Sequence, residues 1–332
     1  MAWTYFVVGS GSIGRRHFAN LNTMGKSTEL LSWRRFGAQG ITQKLASHTG
    51  NAAVIIATAT DIRAELVAIC AANHAPMYIE KPLAFTRAEF DKIYSINADL
   101  QKRSIVGFML RYHPLTDFLV NLPPQSFFRL QLEIGHDVRQ WRENWLFAES
   151  YAARAQGGGV LLDLCHEIDL IGLICPDLSL RDVTSIGHAA FPGVDIASSL
   201  SLASGSGATA TVSMDYLSPV LKRGGSLTGD AQNVVFDFVT NTATVAMATG
   251  VEDHNFNTER NNMFEKIMQD FVTLAEDTGD ATHDKVPRMD RVKTSCARIV
   301  EAWERRDFIG TKKVDLQLIL QKYCLKNQCY LY

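Results

Sequence analysis

No apolar stretch of this chain is long enough to cross a bilayer. The most apolar candidate, GVLLDLCHEIDLIGLIC, is broken by Asp163, His166, Glu167 and Asp169, far short of the roughly 20 uninterrupted apolar residues a spanning helix needs. Neither sign of charge predominates: 33 Lys and Arg face 35 Asp and Glu, a formal net charge of -2, so no global field attracts nucleic acid or an anionic membrane. Six cysteines (Cys70, Cys165, Cys175, Cys296, Cys324, Cys329) form no CxxC pair and no regular framework, the pattern of reduced thiols, which disfavours structural zinc. The opening MAWTYFVV has no basic leader and reads as a first strand rather than a signal peptide. Internal repeats and low-complexity tracts are missing too. These absences leave a cytoplasmic protein with a small-molecule partner, no nucleic acid, no membrane and no metal.

What is present is ordinary globular material: 332 residues at 46% apolar content, enough for two domains with separate cores. Residues 3–8 form a short apolar run ending in VVGSGSIGRRHF, and residues 15–24 have helical character. Gly9-Ser10-Gly11-Ser12-Ile13-Gly14 therefore lies between a strand and a helix. That context suits a dinucleotide: a tight turn at Gly9, close backbone approach at Gly11, tight helix packing at Gly14, and a helix N-terminus facing the pyrophosphate. A second strand over 29–33 ends in Ser32-Trp33-Arg34-Arg35, where an NAD-preferring site usually carries an acidic residue for the ribose 2′-hydroxyl. Two arginines suit a 2′-phosphate, which favours NADP(H) and leaves NAD(H) as the alternative; solvated loop arginines would look the same.

The rhythm then repeats: a strand over 53–57 ending in Ala57-Thr58-Ala59, a helix over 62–73, a strand over 77–80, a helix to about residue 100 opened by a Thr86/Glu89 capping box, and a strand over 104–109. Such alternation implies a parallel sheet with ligands at its carboxyl ends. Beyond about residue 117, strand-like stretches at 127–134, 183–190, 197–202, 208–216, 234–239 and 242–247 indicate a largely antiparallel sheet, with helices at 158–174, 258–276 and 287–305. The expected fold is α/β: an N-terminal Rossmann domain with a parallel sheet (1–118), a C-terminal α+β domain with a large, mostly antiparallel open sheet (119–307), and a tail (308–332) of no assignable role.

Two segments carry chemistry. Glu80-Lys81-Pro82 closes a strand at the cofactor edge, and proline restricts the backbone of the lysine before it; this arrangement aims an ammonium at a reacting oxygen, or is a plain surface turn. On one helix, Asp163, His166 and Asp169 are spaced three apart and share a face. An imidazole between carboxylates is a proton acceptor near neutral pH, and a satisfied core histidine is the bland alternative. HEIDL lacks the second histidine of a zinc HExxH site.

Taken together, GSGSIGRRH, IIATAT, EKPL and GGGVLLDLCHEIDL resemble, in order and approximate spacing over about residues 5–305, the Gfo/Idh/MocA oxidoreductases, the glucose-fructose oxidoreductase and inositol dehydrogenase group. The resemblance implies hydride transfer between NAD(H) or NADP(H) and a hydroxyl or keto carbon of a sugar, nucleotide-sugar or inositol, and a homo-oligomer (dimer or tetramer) formed through the C-terminal sheet. By this likeness Lys81 hydrogen-bonds the reacting oxygen, His166 takes the hydroxyl proton, and Asp163 orients or tunes the pair. Gly9 to Gly14, Trp33, Arg34, Arg35, Ala57, Thr58, Ala59, Glu80 and Lys81 line the cofactor, while Arg111 and Tyr112 of RYHP lie at the domain junction. Trp141 and Trp145, in HDVRQWRENW, offer aromatic faces to a sugar ring, and with Arg111, Tyr112 and Asp169 complete the expected substrate contacts. A subunit contact explains that tryptophan segment equally well.

The chain also departs from the family. Asp163 and His166 are three apart where many members have four. Ala59 and Arg63 stand where the family often has proline and histidine, and residues 36–52 leave room for one helix but no additional strand. The resemblance also admits a catalytically silent dinucleotide sensor that kept the fold to bind partners, and an NAD-dependent glycoside hydrolase; retention of Lys81 and His166 favours the enzyme, because a sensor has no physical need for either.

Overall fold

The first five strands pair side by side in one direction. A computed structural model of the chain describes residues 2–48, 50–123, 126–141, 146–278 and 283–316. Strands β1 (Thr4–Val8), β2 (Ser27–Leu31), β3 (Ala52–Ile56), β4 (Met77–Ile79) and β5 (Ile105–Val106) form a parallel sheet of order β2-β1-β3-β4-β5. Tyr5 to Val8 and all of β3 are buried, because a parallel sheet is covered on both faces and needs apolar residues at consecutive positions. Thr86 caps the Arg87–Tyr94 helix: Glu89 N–H donates to Thr86 Oγ1 at 3.3 Å while Thr86 Oγ1 donates to Glu89 Oε2 at 3.0 Å, the expected box. That helix ends before residue 100, since Ser95 Oγ bonds back to the Lys92 carbonyl and Asn97 starts a separate Ala98–Lys102 helix by accepting from Asp99 N–H.

The second strand stops at Leu31, two residues earlier than the sequence suggests, and Trp33 begins the helix Trp33–Ala46, which Gly37 interrupts. Trp33, Arg34 and Arg35 thus belong to a first helical turn instead of a strand end, with both arginines exposed.

The remaining strands are β6 (Phe127–Gly135), β7 (Ser179–His188), β8 (Phe191–Ala203), β9 (Thr209–Asp215), β10 (Lys222–Gly229), β11 (Gln232–Asp237), β12 (Thr242–Met247), β13 (Gly250–Asn255) and β14 (Asp307–Lys312). They make one sheet of order β13-β12-β11-β10-β6-β9-β8-β7-β14, antiparallel except for the β6–β9 and β7–β14 pairs. Burial alternates along β6 and β9: Leu130, Leu132, Ala210 and Val212 are buried, Gln131, Glu133, Thr211 and Ser213 exposed, so one face meets the core and the other is open. The His166–Ile174 helix packs on the covered face against β6 and β9.

Three strands escape a sequence reading. In β10 a Cβ at Gly224 would lie 2.3 Å from the Phe236 carbonyl oxygen, and one at Gly225 2.0 Å from that of Gln131; these glycines are demanded by the flanking strands. β13 and β14 are exposed edges without apolar alternation, and β14 lies in what the sequence presents as tail.

Contacts divide the chain into two compact units, Met1–Asp117 with Asn257–Glu301, and Phe118–Phe256 with the described residues from Ala302 on. The sequence reading draws the second domain as the contiguous residues 119–307. The helix Arg260–Glu276 packs on Ser12–Thr23 and on the Met109–Tyr112 turn, Tyr112 Oη donates to Asp270 Oδ2 at 2.6 Å, and Lys26 Nζ meets Glu276 Oε1 at 2.7 Å. Residues 287–292 are not helical; the last helix runs Lys293–Glu304.

Candidate active site

In the parallel sheet, Leu31, Val8, Ile56, Ile79 and Val106 are paired in register. The next residues, Ser32, Gly9, Ala57, Glu80 and Gly107, therefore leave the sheet along one line at its carboxyl end, where open α/β sheets bind ligands. Backbone bonds from Gly9 N–H to the Leu31 carbonyl (2.9 Å), Ala57 N–H to Val8 (2.9 Å), Glu80 N–H to Ile56 (3.0 Å) and Gly107 N–H to Ile79 (2.8 Å) extend the ladder by that one step.

The glycine turn is built for close approach. Gly9 has φ 124°, and a Cβ there would lie 2.3 Å from the Ala57 carbonyl oxygen; a Cβ at Gly14 would lie 1.8 Å from that of Gly9. Gly11 faces nothing within 4 Å, and as N-cap of the Ser12–Thr23 helix it makes no side-chain capping bond. Open backbone at a helix N-terminus with uncapped N–H groups is an anion seat. Beside it Thr58 Oγ1 is buried with no hydrogen-bond partner among the described residues. These features fit a dinucleotide phosphate.

Glu80 is buried, and His17 Nε2 lies 2.7 Å from its Oε1. Burial by itself would lift the Glu80 carboxyl, yet the His17 hydrogen bond and the charges of His17, Lys81 and Arg63 bring it below the ordinary carboxylate range. Lys81 follows, half-buried, joined to Pro82 by a cis peptide bond. Arg63, 5% exposed, donates from Nη2 to the Thr58 carbonyl at 2.9 Å and from Nη1 to the Pro82 carbonyl. Sequence reasoning passes over His17 as a site residue, although Gly14, His17 and Leu21 are buried on one helical face, and a histidine on a core-facing stripe calls for a polar partner.

Arg111 is buried, its Nη1 3.5 Å from the Lys285 carbonyl oxygen. Tyr112 is engaged by Asp270, which His283 Nε2 also approaches at 2.9 Å; burial and then the Asp270 carboxylate push this phenol well above its ordinary range.

His166 belongs to the second unit. The expected single helix over 158–174 is two, Val160–Asp163 and His166–Ile174, separated by Leu164 (φ -104°, ψ 31°) and Cys165 (ψ 0°). Asp163, His166 and Asp169 do not ride one continuous helical face, although all three are buried. Asp163 instead accepts from two phenols, Tyr151 Oη at 2.6 Å and Tyr216 Oη at 2.8 Å. The glycine run fits against Asp195: a Cβ at Gly159 (φ 92°) would lie 2.0 Å from Asp195 Oδ1, and Asp195 Oδ2 accepts from Leu161 N–H at 2.9 Å and Ser198 Oγ at 3.0 Å. Asp195 so anchors the short helix that leads to His166. Glu167 pairs with Arg223 at 2.7 Å. Tyr216, 53 residues from Asp163, and Asp195, 34 residues from Leu161, offer no local signal in the sequence.

Trp141 is buried, its ring stacked on His136 (22°) and edge-on to Tyr216 at 5.3 Å, so it packs within this unit. Arg139 is held bidentately by Asp137, Nε to Oδ1 at 2.8 Å and Nη2 to Oδ2 at 2.6 Å. Trp145 lies outside the described residues. Burial pushes His136 down to about 4 against the opposing charge of Asp137. An unfolded histidine titrates near 6.5, so the unfolded chain takes the proton first: the contribution is complete above pH 6.5 and is lost as pH falls from there to about 4. Melting temperatures between these limits should fall less steeply in His136→Gln, the difference reaching on the order of 2 kcal/mol; parallel curves would refute it.

No protein-family model and no curated protein sequence matches the chain. Solved structures do. KijD10, a 3-ketoreductase from Actinomadura kijaniata in complex with NADP and TDP-benzene, superposes with TM-score 0.74 at 14% identity, covering 93% of this chain and 99% of that one. The UDP-N-acetylglucosamine 3-dehydrogenase GnnA from Acidithiobacillus ferrooxidans gives TM-score 0.70 at 15% identity, covering 92% and 96%. The chain has their fold. Among the described residues no helix is long and apolar enough to cross a membrane, and no group of three or more His, Cys, Asp or Glu is placed to hold a metal ion.

Proposed function

We propose that the chain is an NAD(P)-dependent oxidoreductase acting on a hydroxyl or keto carbon of a sugar or nucleotide-sugar, an inositol being the smaller variant. The observation that carries this reading is the single line of Gly9, Ala57 and Glu80 at the sheet's carboxyl end, with Lys81 next in the chain. Gly9 to Gly14 would hold the pyrophosphate, Ala57 to Ala59 with Glu80 and Lys81 the nicotinamide side, and Trp33, Arg34 and Arg35 the adenosine end. Two exposed arginines favour a 2′-phosphate and hence NADP(H) over NAD(H). A bound nicotinamide supplies the hydride chemistry.

The protein's own part is electrostatic and protonic. Lys81 donates a hydrogen bond to the reacting oxygen and stabilises its developing negative charge; His166 accepts the hydroxyl proton in oxidation and returns it in reduction. Asp163, held by two tyrosines, fixes the turn before His166. Arg111, Tyr112 and Asp169 are the remaining candidates for substrate contact. The names of GnnA and KijD10 support a nucleotide-sugar as substrate class and NADP as cofactor. The open face of the nine-stranded sheet is the surface through which two or four copies would associate.

The test is nicotinamide absorbance of purified protein with NADP+ or NAD+ and a panel of UDP-sugars, free aldoses, sugar acids and inositols, and with NADPH and keto-sugars. Turnover with one class names substrate and cofactor together. Dinucleotide binding without turnover in either direction would instead support a silent sensor, and sugar release without net cofactor change a glycoside hydrolase.

A further inference from the structure

We propose that Arg63 is a positioning residue, a clasp that fixes the Lys81 loop against the dinucleotide loop. The inference rests on the reading of Lys81 given above. Arg63 opens the helix Arg63–Ala72, and its guanidinium reaches two main-chain carbonyls from different loops: Thr58, two residues beyond the end of β3, and Pro82, three beyond β4 and adjacent to Lys81. A guanidinium that is 5% exposed is costly to bury unless hydrogen-bonded. Its planar fork can hold two acceptors at a fixed separation, which a single ammonium cannot.

The clasp works with a second tether. Glu80, on the other side of Lys81, is bonded to His17, which stands on the helix rising from the glycine turn. Lys81 is thus flanked by two anchored neighbours, one tied to the helix after β1 and one to the helix after β3. The carbonyl of Thr58 is gripped while its Oγ1 stays buried beside the glycine turn. Order in the loop that would line the nicotinamide side and the direction of the lysine are therefore coupled through one side chain. The resemblance leads to histidine at this position; arginine is this chain's own solution.

Full-length Arg63→Ala and Arg63→Lys, checked for folding by circular dichroism, are compared with the parent by amide exchange, NADPH fluorescence titration and the turnover assay. In Arg63→Ala, exchange in peptides covering 57–60 and 80–84 should rise together by about tenfold while β1 and the Ser12–Thr23 helix are unchanged. NADPH affinity should stay within about threefold and kcat fall about 10²-fold with substrate KM little altered, the signature of misplacement rather than lost binding. Added guanidinium should restore kcat at least partly, and Arg63→Lys should fall between. Unchanged exchange in either loop overturns the clasp whether or not the parent turns anything over. Both loops loosening in an active enzyme whose kcat stays within about twofold overturns the positioning role. Both loops loosening in a parent that never turns over leaves the clasp standing and sinks the oxidoreductase reading. If Arg63→Ala does not fold, the same outcomes are read from Arg63→Lys.

Discussion

Lys81→Met should reduce turnover by about 10²–10³-fold, roughly 3–4 kcal/mol of transition-state stabilisation, while NADPH still binds. Methionine keeps the unbranched length of lysine and removes only the charge and its donors, so a loss in kcat measures the hydrogen bond to the reacting oxygen. The surroundings are suited to survive the change. Glu80 keeps His17 and nearby Arg63 as favourable neighbours, and Pro82 keeps its bond from Arg63. A Lys81→Met enzyme with kcat near the parent value would exclude Lys81 from the chemistry. A collapse of dinucleotide affinity alongside kcat would assign the lysine to binding instead.

The second large effect concerns the glycine turn, where two substitutions of the same kind should behave oppositely. In Gly14→Ala the new Cβ would meet the Gly9 carbonyl oxygen at 1.8 Å, so helix and turn must part; a destabilisation of about 3 kcal/mol or more is expected, with loss of dinucleotide binding. In Gly11→Ala the methyl group meets no protein atom within 4 Å. That variant should melt with the parent, yet bind NADPH at least about tenfold more weakly, because the methyl occupies the approach a phosphate needs. Thermal melts and fluorescence titrations of both proteins decide it: equal melting for the two variants would show that Gly14 is not a packing glycine, and unimpaired binding by Gly11→Ala would remove the phosphate from this turn.

What the sequence discloses about this protein is what is settled locally. The turn from Gly9 to Gly14, the Thr86/Glu89 box and the alternation along β6 and β9 are each decided within about a dozen residues, by backbone sterics, capping and period-2 burial. What it hides is settled at a distance. The strand holding Gly224 and Gly225 goes unrecognised because the reasons for its glycines, the Phe236 and Gln131 carbonyls, lie on other strands. His17 needs Glu80, 63 residues on, and Asp163 needs Tyr216, 53 residues on. The break at Leu164–Cys165 falls in a sequence with unbroken helical periodicity, so spacing alone put Asp163 and His166 on one face. Arg63 is visible in the sequence only as a departure; its two carbonyl partners give it a meaning.

The division of the chain has a consequence for its biosynthesis. Phe271 stands edge-on to Tyr5 at 6.3 Å and to Tyr78 at 5.9 Å, yet all of residues 118–256 leave the ribosome before it does. Through that interval the nascent parallel sheet carries its aromatic residues without their final cover. Early domains ordinarily fold as units while synthesis continues; here part of the N-terminal sheet's cover is synthesised only after the whole of residues 118–256.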